Sequence, residues 1–224
     1  MMTTSQLYRT SGLSLVIGAI AFVVHIVLRS LLTAGVDQLI FAKQGLWVPI
    51  NALGLGGAML VLMGLPAMYA RMAVPAGLFG LVGVVLVAVA WTFFGVFLSL
   101  YAAILLPWLA DKAPALVAPG APLPAEFIIA FIAGLSVWLA GSVLLAIPFI
   151  RGDLQPRWVG HVLPASGLWV VVGSLVIAPR GPAANPAINL LSNLGPVLLL
   201  VAVGYLGSRL WTERVESGVH GAHR

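Results

Sequence analysis

The chain has 224 residues, of which 61% are hydrophobic and 8% charged, with a mean hydropathy of +1.10 and a formal net charge of +5. Soluble domains carry about 25% charged residues, so most of this chain must face lipid tails or other helices. The composition excludes a soluble enzyme, a nucleic-acid-binding protein and a disordered scaffold, and it predicts an integral membrane protein.

Six apolar stretches, separated by short polar or proline-rich breaks, are each long enough to cross about 30 Å of hydrocarbon as a helix. They cover residues 11–32, 46–70, 75–106, 125–150, 160–178 and 186–211. None alternates between apolar and polar residues as the strands of a membrane barrel do. The sequence therefore predicts an all-α fold, a six-span transmembrane helical bundle over 11–211, flanked by an N-terminal segment 1–10 and a tail 212–224.

The third stretch is unusual because no charge interrupts it from 75 to 106. As a straight helix it would exceed the thickness of the bilayer by about 18 Å. We therefore expect this helix to tilt or to project beyond the membrane. The segment that follows, 111–124, is rich in proline and alanine and is predicted to be a loop.

The basic residues indicate the orientation of the chain. If both termini are cytoplasmic, most of the eleven basic residues lie inside, as the positive-inside rule requires. The inner set is Arg9, Arg71, Arg151, Arg157, Arg209, Arg214 and Arg224, and the outer set is Arg29, Lys43, Lys112 and Arg180. We attribute the positive charge to this rule and to anionic membrane lipids as partners, not to nucleic acid. Scarce lysine beside abundant arginine and alanine is typical of a GC-rich bacterial genome, so we expect the bacterial cytoplasmic (inner) membrane.

Several chemical classes have no support in the sequence. Without cysteine there is no thiolate metal site and no cysteine nucleophile, and the H-E-x-x-H, G-x-S-x-G and P-loop patterns are missing. Gly54, Gly56 and Gly57 lie in mid-span, with no strand before them and no lysine after them, so they predict close helix packing and not phosphate binding. The sequence thus predicts no catalytic residue and no metal site, and it identifies no cofactor.

Five polar side chains fall within the predicted spans at a similar depth, near the outer surface. They are His25, Asn51, Glu126, Asn189 and Asn193. Polar groups at such depth need a partner, a water-filled cavity or a ligand. We therefore predict a pocket that these residues line and that opens to the extracytoplasmic side, with Arg29 at its mouth as an anion contact.

Helical phase supports the same prediction, because small residues mark the packed face of a membrane helix. On the first span the stripe is Ser14, Gly18, Ala21 and His25, and on the fourth it is Glu126, Ala130, Ala133, Val137 and Gly141. We expect both stripes to face the bundle interior, with the carboxylate of Glu126 acting on His25.

Each of these residues also has a purely structural explanation, which the sequence leaves open. A carboxylate such as Glu126 is favoured at a helix start by the macrodipole, asparagines bond neighbouring helices together, and Arg29 can extend to the outer headgroups. His25 can be satisfied by Glu126 or by an asparagine with no ligand present.

Other functions are weighed against ligand binding. A haem held by two histidines is disfavoured because His25 and His161 differ in predicted depth by about 20 Å, although one histidine could hold a haem or pigment. Ion-driven transport needs a carboxylate near the midplane, and the only acid within a span, Glu126, lies near an end. The main alternative to a protein that binds a small or lipidic ligand is a structural accessory subunit of a larger complex with other membrane subunits as partners.

Two short segments carry a resemblance. Residues 8–13 (YRTSGL) lead into the first apolar helix, the third span is long, and residues 204–211 (GYLGSRLW) end the last span. In these features the chain resembles a broad group of small multi-pass bacterial membrane proteins of unknown function. The resemblance implies a six-helix fold and supplies no catalytic residues.

Overall fold

The computed structural model describes residues 3–33, 38–118, 123–154, 156–177 and 185–212, and these are helical apart from short turns. Among them five helices are long and apolar enough to cross a membrane, which fits a multi-pass membrane protein. They are Ser5–Leu32, Trp47–Lys112, Ala125–Arg151, Arg157–Ile177 and Leu194–Thr212. Apart from Thr212, the predicted tail lies outside the described residues.

The first helix, α1 (Thr4–Leu32), begins earlier than the apolar stretch that predicts it. Its N-terminus is a capping box. The backbone N–H of Gln6 donates to Thr3 Oγ1 at 3.2 Å, and the backbone N–H of Thr3 donates to Gln6 Oε1 at 2.9 Å. Because these bonds satisfy amides that a helix start leaves free, the polar segment joins the helix. A short helix α2 (Gln38–Ala42) follows.

The second and third predicted stretches form one helical run, Trp47–Lys112. It consists of α3 (Trp47–Trp91), a π-helix (Thr92–Phe97), α4 (Leu98–Leu100), a second π-helix (Tyr101–Leu105) and α5 (Leu106–Lys112). The break that the sequence predicts at 71–74 thus lies within helix, and the interruption between the two predicted stretches falls at Gly77 instead. A 3₁₀ turn, Pro114–Leu116, then occupies part of the predicted loop.

This run folds back on itself at Gly77, the one residue of α3 with non-helical angles (φ 54°, ψ −153°). The Trp47 indole donates to the Ala102 carbonyl at 2.6 Å, and the Trp91 indole donates to the Ala58 carbonyl at 3.2 Å. In a straight helix the first pair would be about 80 Å apart. The run is thus an antiparallel hairpin, and we call residues 47–76 its first arm and 78–112 its second arm.

The remaining helices are α6 (Ala125–Arg151), α7 (Arg157–Val172), a π-helix (Gly173–Ile177), α8 (Pro186–Ser192) and α9 (Leu194–Thr212). The last predicted stretch, 186–211, is thus divided at Asn193. Pro196 has no N–H to donate to the Ser192 carbonyl, which explains why regular hydrogen bonding stops there.

The helical segments pack as a closed ring in chain order: α1, first arm, second arm, α6, α7, α9 and again α1. Glycines allow the close approaches. A Cβ built on Gly18 would lie 2.8 Å from the Gly57 carbonyl oxygen, and one built on Gly12 would lie 2.6 Å from that of Gly207. Small residues at such contacts let helix backbones meet in a membrane, so close packing is the role of Gly57. Gly56, in contrast, is exposed and contacts nothing beyond its own helix among the described residues.

The inward face predicted for α6 is wrong in its N-terminal half. Glu126, Ala130 and Ala133 are exposed, whereas Phe131 is half-buried and Trp138 is buried. Rings bury more apolar area than alanine methyl groups, so the face carrying Phe131 and Trp138 turns inward. The predicted stripe becomes buried only at its C-terminal end, at Gly141.

Candidate functional site

A cavity of about 380 Å³ lies between α1, the second arm, α6, α7, α8 and α9. It is at the end of the ring where α1 stops and α6 starts. The volume falls in the range of small-molecule sites. The Trp169 indole donates to the Leu191 carbonyl at 2.7 Å and fixes α8 against α7 beside this cavity.

Four of the six predicted site residues line this cavity: His25, Arg29, Asn189 and Asn193. Asn51 and Glu126 do not. The sequence predicts that all six side chains meet because they lie at a common depth. The structure brings together those of α1, α8 and the turn before α9, but not those of the first arm or α6.

His25 is buried, and its ring is held on two sides. Nδ1 donates to the Ile50 carbonyl at 2.8 Å, and a Cβ built on Gly54 would lie 2.7 Å from the His25 ring carbons Cγ and Cδ2. The Phe22 ring meets the imidazole edge-on, with centroids 5.3 Å apart. The sequence predicts Glu126 or an asparagine as the partner of His25, and the structure gives a backbone carbonyl of the first arm instead.

Asn51 is fully buried behind this contact, and its Nδ2 donates to the Trp47 carbonyl at 2.8 Å. This bond is within the helix, so it does not join neighbouring helices. Its Oδ1 has no hydrogen-bond partner among the residues that the structure describes. Asn51 therefore belongs to the wall behind His25 and not to the cavity surface.

Glu126 is exposed in the first turn of α6. An acid at this position is favoured by the partial positive charge of a helix N-terminus. The structural explanation accounts for Glu126, and the inward position expected for it is wrong for the reason given above for α6.

Arg29 has a fixed aromatic neighbour. Its guanidinium carbon lies 5.4 Å from the centroid of the Trp47 ring, a cation–π geometry. Trp47 is itself held by the hydrogen bond to Ala102 and by the edge of Phe41, whose ring centroid is 5.7 Å away. Within the described part of the chain, no acid lies within ion-pair distance of Arg29. Arg29, a residue of the cavity lining, thus has no counter-charge among the described residues.

The two asparagines differ in their bonding. Asn193 Nδ2 donates to the Asn189 carbonyl at 2.8 Å, and the Ser192 hydroxyl donates to that carbonyl at the same distance. The side-chain amide of Asn189 makes no hydrogen bond to any described residue. It remains available at the cavity surface.

Several cavity residues have no counterpart in the sequence-based prediction. Four serines on four helical segments line it, namely Ser30, Ser99, Ser174 and Ser192, and so do five aromatic residues, namely Phe22, Trp91, Phe94, Phe131 and Trp138. Serine is common in membrane helices, so no sequence signal distinguishes these. The Trp138 indole N–H is buried and has no partner among the described residues.

No group of three or more metal-binding side chains is found in the described residues. His161 is exposed near the start of α7, while His220 and His223 lie outside the described part of the chain. Comparison with protein-family models, with curated proteins and with solved structures finds no match to this chain.

Proposed function

We propose that this protein crosses the bacterial cytoplasmic membrane six times, with both termini in the cytoplasm, and binds a small or lipidic ligand in the cavity near the outer surface. The observation that carries the proposal concerns Arg29: it belongs to the lining of a cavity of about 380 Å³, and its guanidinium has no acid within ion-pair distance among the described residues. A cation in a membrane protein needs a partner, and a ligand supplies one.

The hairpin at Gly77 supports six crossings. Its arms are antiparallel, so the run Trp47–Lys112 enters and leaves the membrane on the same side if each arm spans the bilayer. With α1, α6, α7 and α9 this gives an even number of crossings and places the two termini together. The positive-inside rule then assigns that side to the cytoplasm and the cavity end to the outside.

The test fills the cavity without changing its charge. Leu98 lines the cavity, whereas Leu100, two residues on, is exposed and lies outside the lining. The purified wild type, Leu98→Trp and Leu100→Trp would each be extracted with organic solvent, and the extracted molecules would be quantified by mass spectrometry.

We expect a compound that copurifies with the wild type and with Leu100→Trp and that is depleted in Leu98→Trp. Equal amounts in all three proteins would contradict the proposal. Stable copurification of other membrane subunits, with no small molecule in any of the three extracts, would instead support the accessory-subunit alternative.

A further inference from the structure

We infer that the ligand is a single-chain anionic amphiphile, whose head group contacts Arg29 and whose tail lies against Phe22, Trp91 and Trp138. This inference rests on the proposed function and assigns it a chemical class. It follows from three properties of the cavity: the order of polar and apolar residues along its walls, its charge and its volume.

The walls change from apolar to polar in the same direction on most of the elements that form them. On α1, the lining residues Phe22, His25 and Ile26 are followed toward the outer end by Arg29, Ser30 and Thr33. Phe22 and Arg29 are seven residues apart, which is about 10 Å along the helix axis. The cavity therefore has an aromatic inner end and a polar outer end on this helix.

Three other elements repeat this order. Toward the outer end, Trp91 and Phe94 are followed by Ser99 on the second arm, and Val170 is followed by Ser174 on α7 and its π-helical end. The last segment runs in the opposite direction, so Pro196 is nearer the inner end than Ser192. α6 differs, because it contributes an aromatic ring to each end of the cavity: Phe131 to the outer end and Trp138 to the inner end. A ligand that satisfies such walls has one polar and one apolar end.

The outer end favours an anion. Among the described residues of the lining, the basic side chains are Arg29 and His25, and none carries a carboxylate. Ser30 and Ser99 are buried, and neither hydroxyl makes a hydrogen bond to a described residue. A guanidinium with nearby hydroxyl donors is suited to the oxygens of a carboxylate or a phosphate.

The inner end favours a hydrocarbon tail. The Trp91 indole N–H is already bonded to the Ala58 carbonyl, and the rings of Phe22 and Trp91 lie 4.8 Å apart while those of Trp91 and Trp138 lie 5.6 Å apart. The polar groups left unbonded to described residues at this end are the indole N–H of Trp138 and Nε2 of His25, whose Nδ1 is bonded to the Ile50 carbonyl; the other described side chains here are apolar. A charged group placed here would lose its hydration without compensation.

The volume favours one chain. At about 10–15 Å³ of cavity volume for each water-sized group, a cavity of about 380 Å³ holds about 25–38 such groups. That is enough for a head group and a single chain, and it is too little for the head group and both chains of a phospholipid. A free fatty-acid-like anion therefore fits better than a whole membrane lipid.

The test uses a probe whose tail reports its own position. 11-Bromoundecanoate carries the bromine, which quenches tryptophan fluorescence, at the end opposite the carboxylate, and 11-bromoundecanol is its uncharged match. Both would be titrated into the full-length protein in a neutral detergent. We expect saturable partial quenching by the acid through Trp91 and Trp138, and an affinity for the alcohol that is weaker by about tenfold or more.

Variants separate charge from general binding. Arg29→Gln should weaken binding of the acid about tenfold or more, while Arg29→Lys keeps the charge and loses less. The matched control is Arg209→Gln, which removes an exposed arginine in the last turn of α9, outside the cavity lining, and should bind as the wild type does. Each variant would be checked by circular dichroism. If Arg29→Gln fails to fold, the comparison of acid with alcohol on the wild type decides the question.

The outcomes distinguish this inference from the proposed function. Equal affinity for acid and alcohol, or unchanged binding in Arg29→Gln, overturns the anionic assignment. Because Leu98→Trp adds a fluorophore to the cavity, its binding of the acid would be measured by equilibrium dialysis; the proposed function still stands if that binding is lost, and binding that is unaffected by Leu98→Trp overturns both. A competition experiment tests the number of chains, with phosphatidylglycerol in mixed micelles and dodecanoate as the two competitors. Displacement of the probe by this lipid but not by dodecanoate overturns the single-chain assignment.

Discussion

His25 joins α1 to the start of α3 through one hydrogen bond and one close packing contact. Nδ1 donates to the Ile50 carbonyl, and Gly54 leaves room for the ring. A neutral hydrogen bond of this kind contributes about 1 kcal/mol to stability. The imidazole is thus an interhelical contact as well as part of the cavity wall, and its orientation depends on the absence of a side chain at position 54.

Gly54→Ala should destabilise the protein because its Cβ would lie 2.7 Å from two His25 ring carbons and would force the ring off the Ile50 carbonyl. We expect a loss of about 1–3 kcal/mol. The control is Gly56→Ala, since Gly56 is exposed on the same helix and no described atom beyond that helix lies within 4 Å of the position that a methyl group would take there; it should gain up to about 1 kcal/mol from helix propensity. Unfolding titrations in detergent measure both, and equal stability of the two variants would contradict this account of His25.

At this scale the sequence predicts which polar residues are costly in a membrane, but not what each one bonds to. His25 and Arg29 lie on the face of α1 that is expected to point inward, and both line the cavity. The partner of His25 could not be predicted because it is a backbone carbonyl, which every residue carries. Glu126 could not be assigned correctly because its depth follows from sequence position, whereas its direction is set by the aromatic residues of α6.

Among the helices, the hairpin at Gly77 has the most unusual backbone. Its angles, φ 54° and ψ −153°, lie in a region that is essentially restricted to glycine. The change of direction between the arms occurs at this residue. A side chain there would strain the backbone even though no described residue occupies the surrounding space.

Gly77→Ala should therefore lower the free energy of unfolding by about 1–3 kcal/mol. Gly45→Ala is the matched control, because Gly45 also has open space around it but no positive φ; its effect should stay within about 0.5 kcal/mol. Thermal unfolding followed by circular dichroism compares them. A Gly77→Ala protein as stable as the control would show that the turn does not depend on the glycine conformation.

The second arm also explains why helical phase could not be extrapolated from the sequence. Thr92–Phe97 and Tyr101–Leu105 are π-helical, so each turn contains more residues than an α-helical turn. Side chains beyond such a segment face a different direction from the one that a 3.6-residue period predicts. The position of Ser99 between the two segments, on the cavity wall, could therefore not be derived from spacing alone.

The closed ring of helical segments makes the sidedness of the molecule testable as a whole. The chain has no cysteine, so single introduced cysteines give labelling without background. Val74 lies at the hairpin turn with 96% of its surface exposed, and Leu116 lies beyond the second arm with 69% exposed. If each arm crosses the membrane, these positions are on opposite sides.

In intact bacterial cells, Leu116→Cys should react with a membrane-impermeant maleimide, and Val74→Cys should react only after the membrane is permeabilised. Labelling of both variants from outside would contradict a crossing by each arm. The reverse pattern would place the termini outside and the cavity at the inner leaflet. Detergent-solubilised protein, in which both cysteines should react, serves as the control for accessibility.

The sequence predicts the class of the whole molecule and the end of the bundle where polar groups collect, because hydropathy and charge are carried by composition over long stretches. It does not predict how the segments close on one another. The contacts between α1 and α9 and between the second arm and α6 depend on single glycines such as Gly207 and Gly141, and glycines are too frequent here for their partners to be chosen by spacing.

The approach of Gly12 to Gly207 also has a consequence for biosynthesis. α1 leaves the ribosome first, but the flank that carries Gly12 finds its partner only when α9 has been translated. At about 5–20 residues per second, roughly 10–40 s separate the two events. During that interval one side of the first helix must be covered by lipid or by the insertion machinery, so closure of the ring waits for the synthesis of α9.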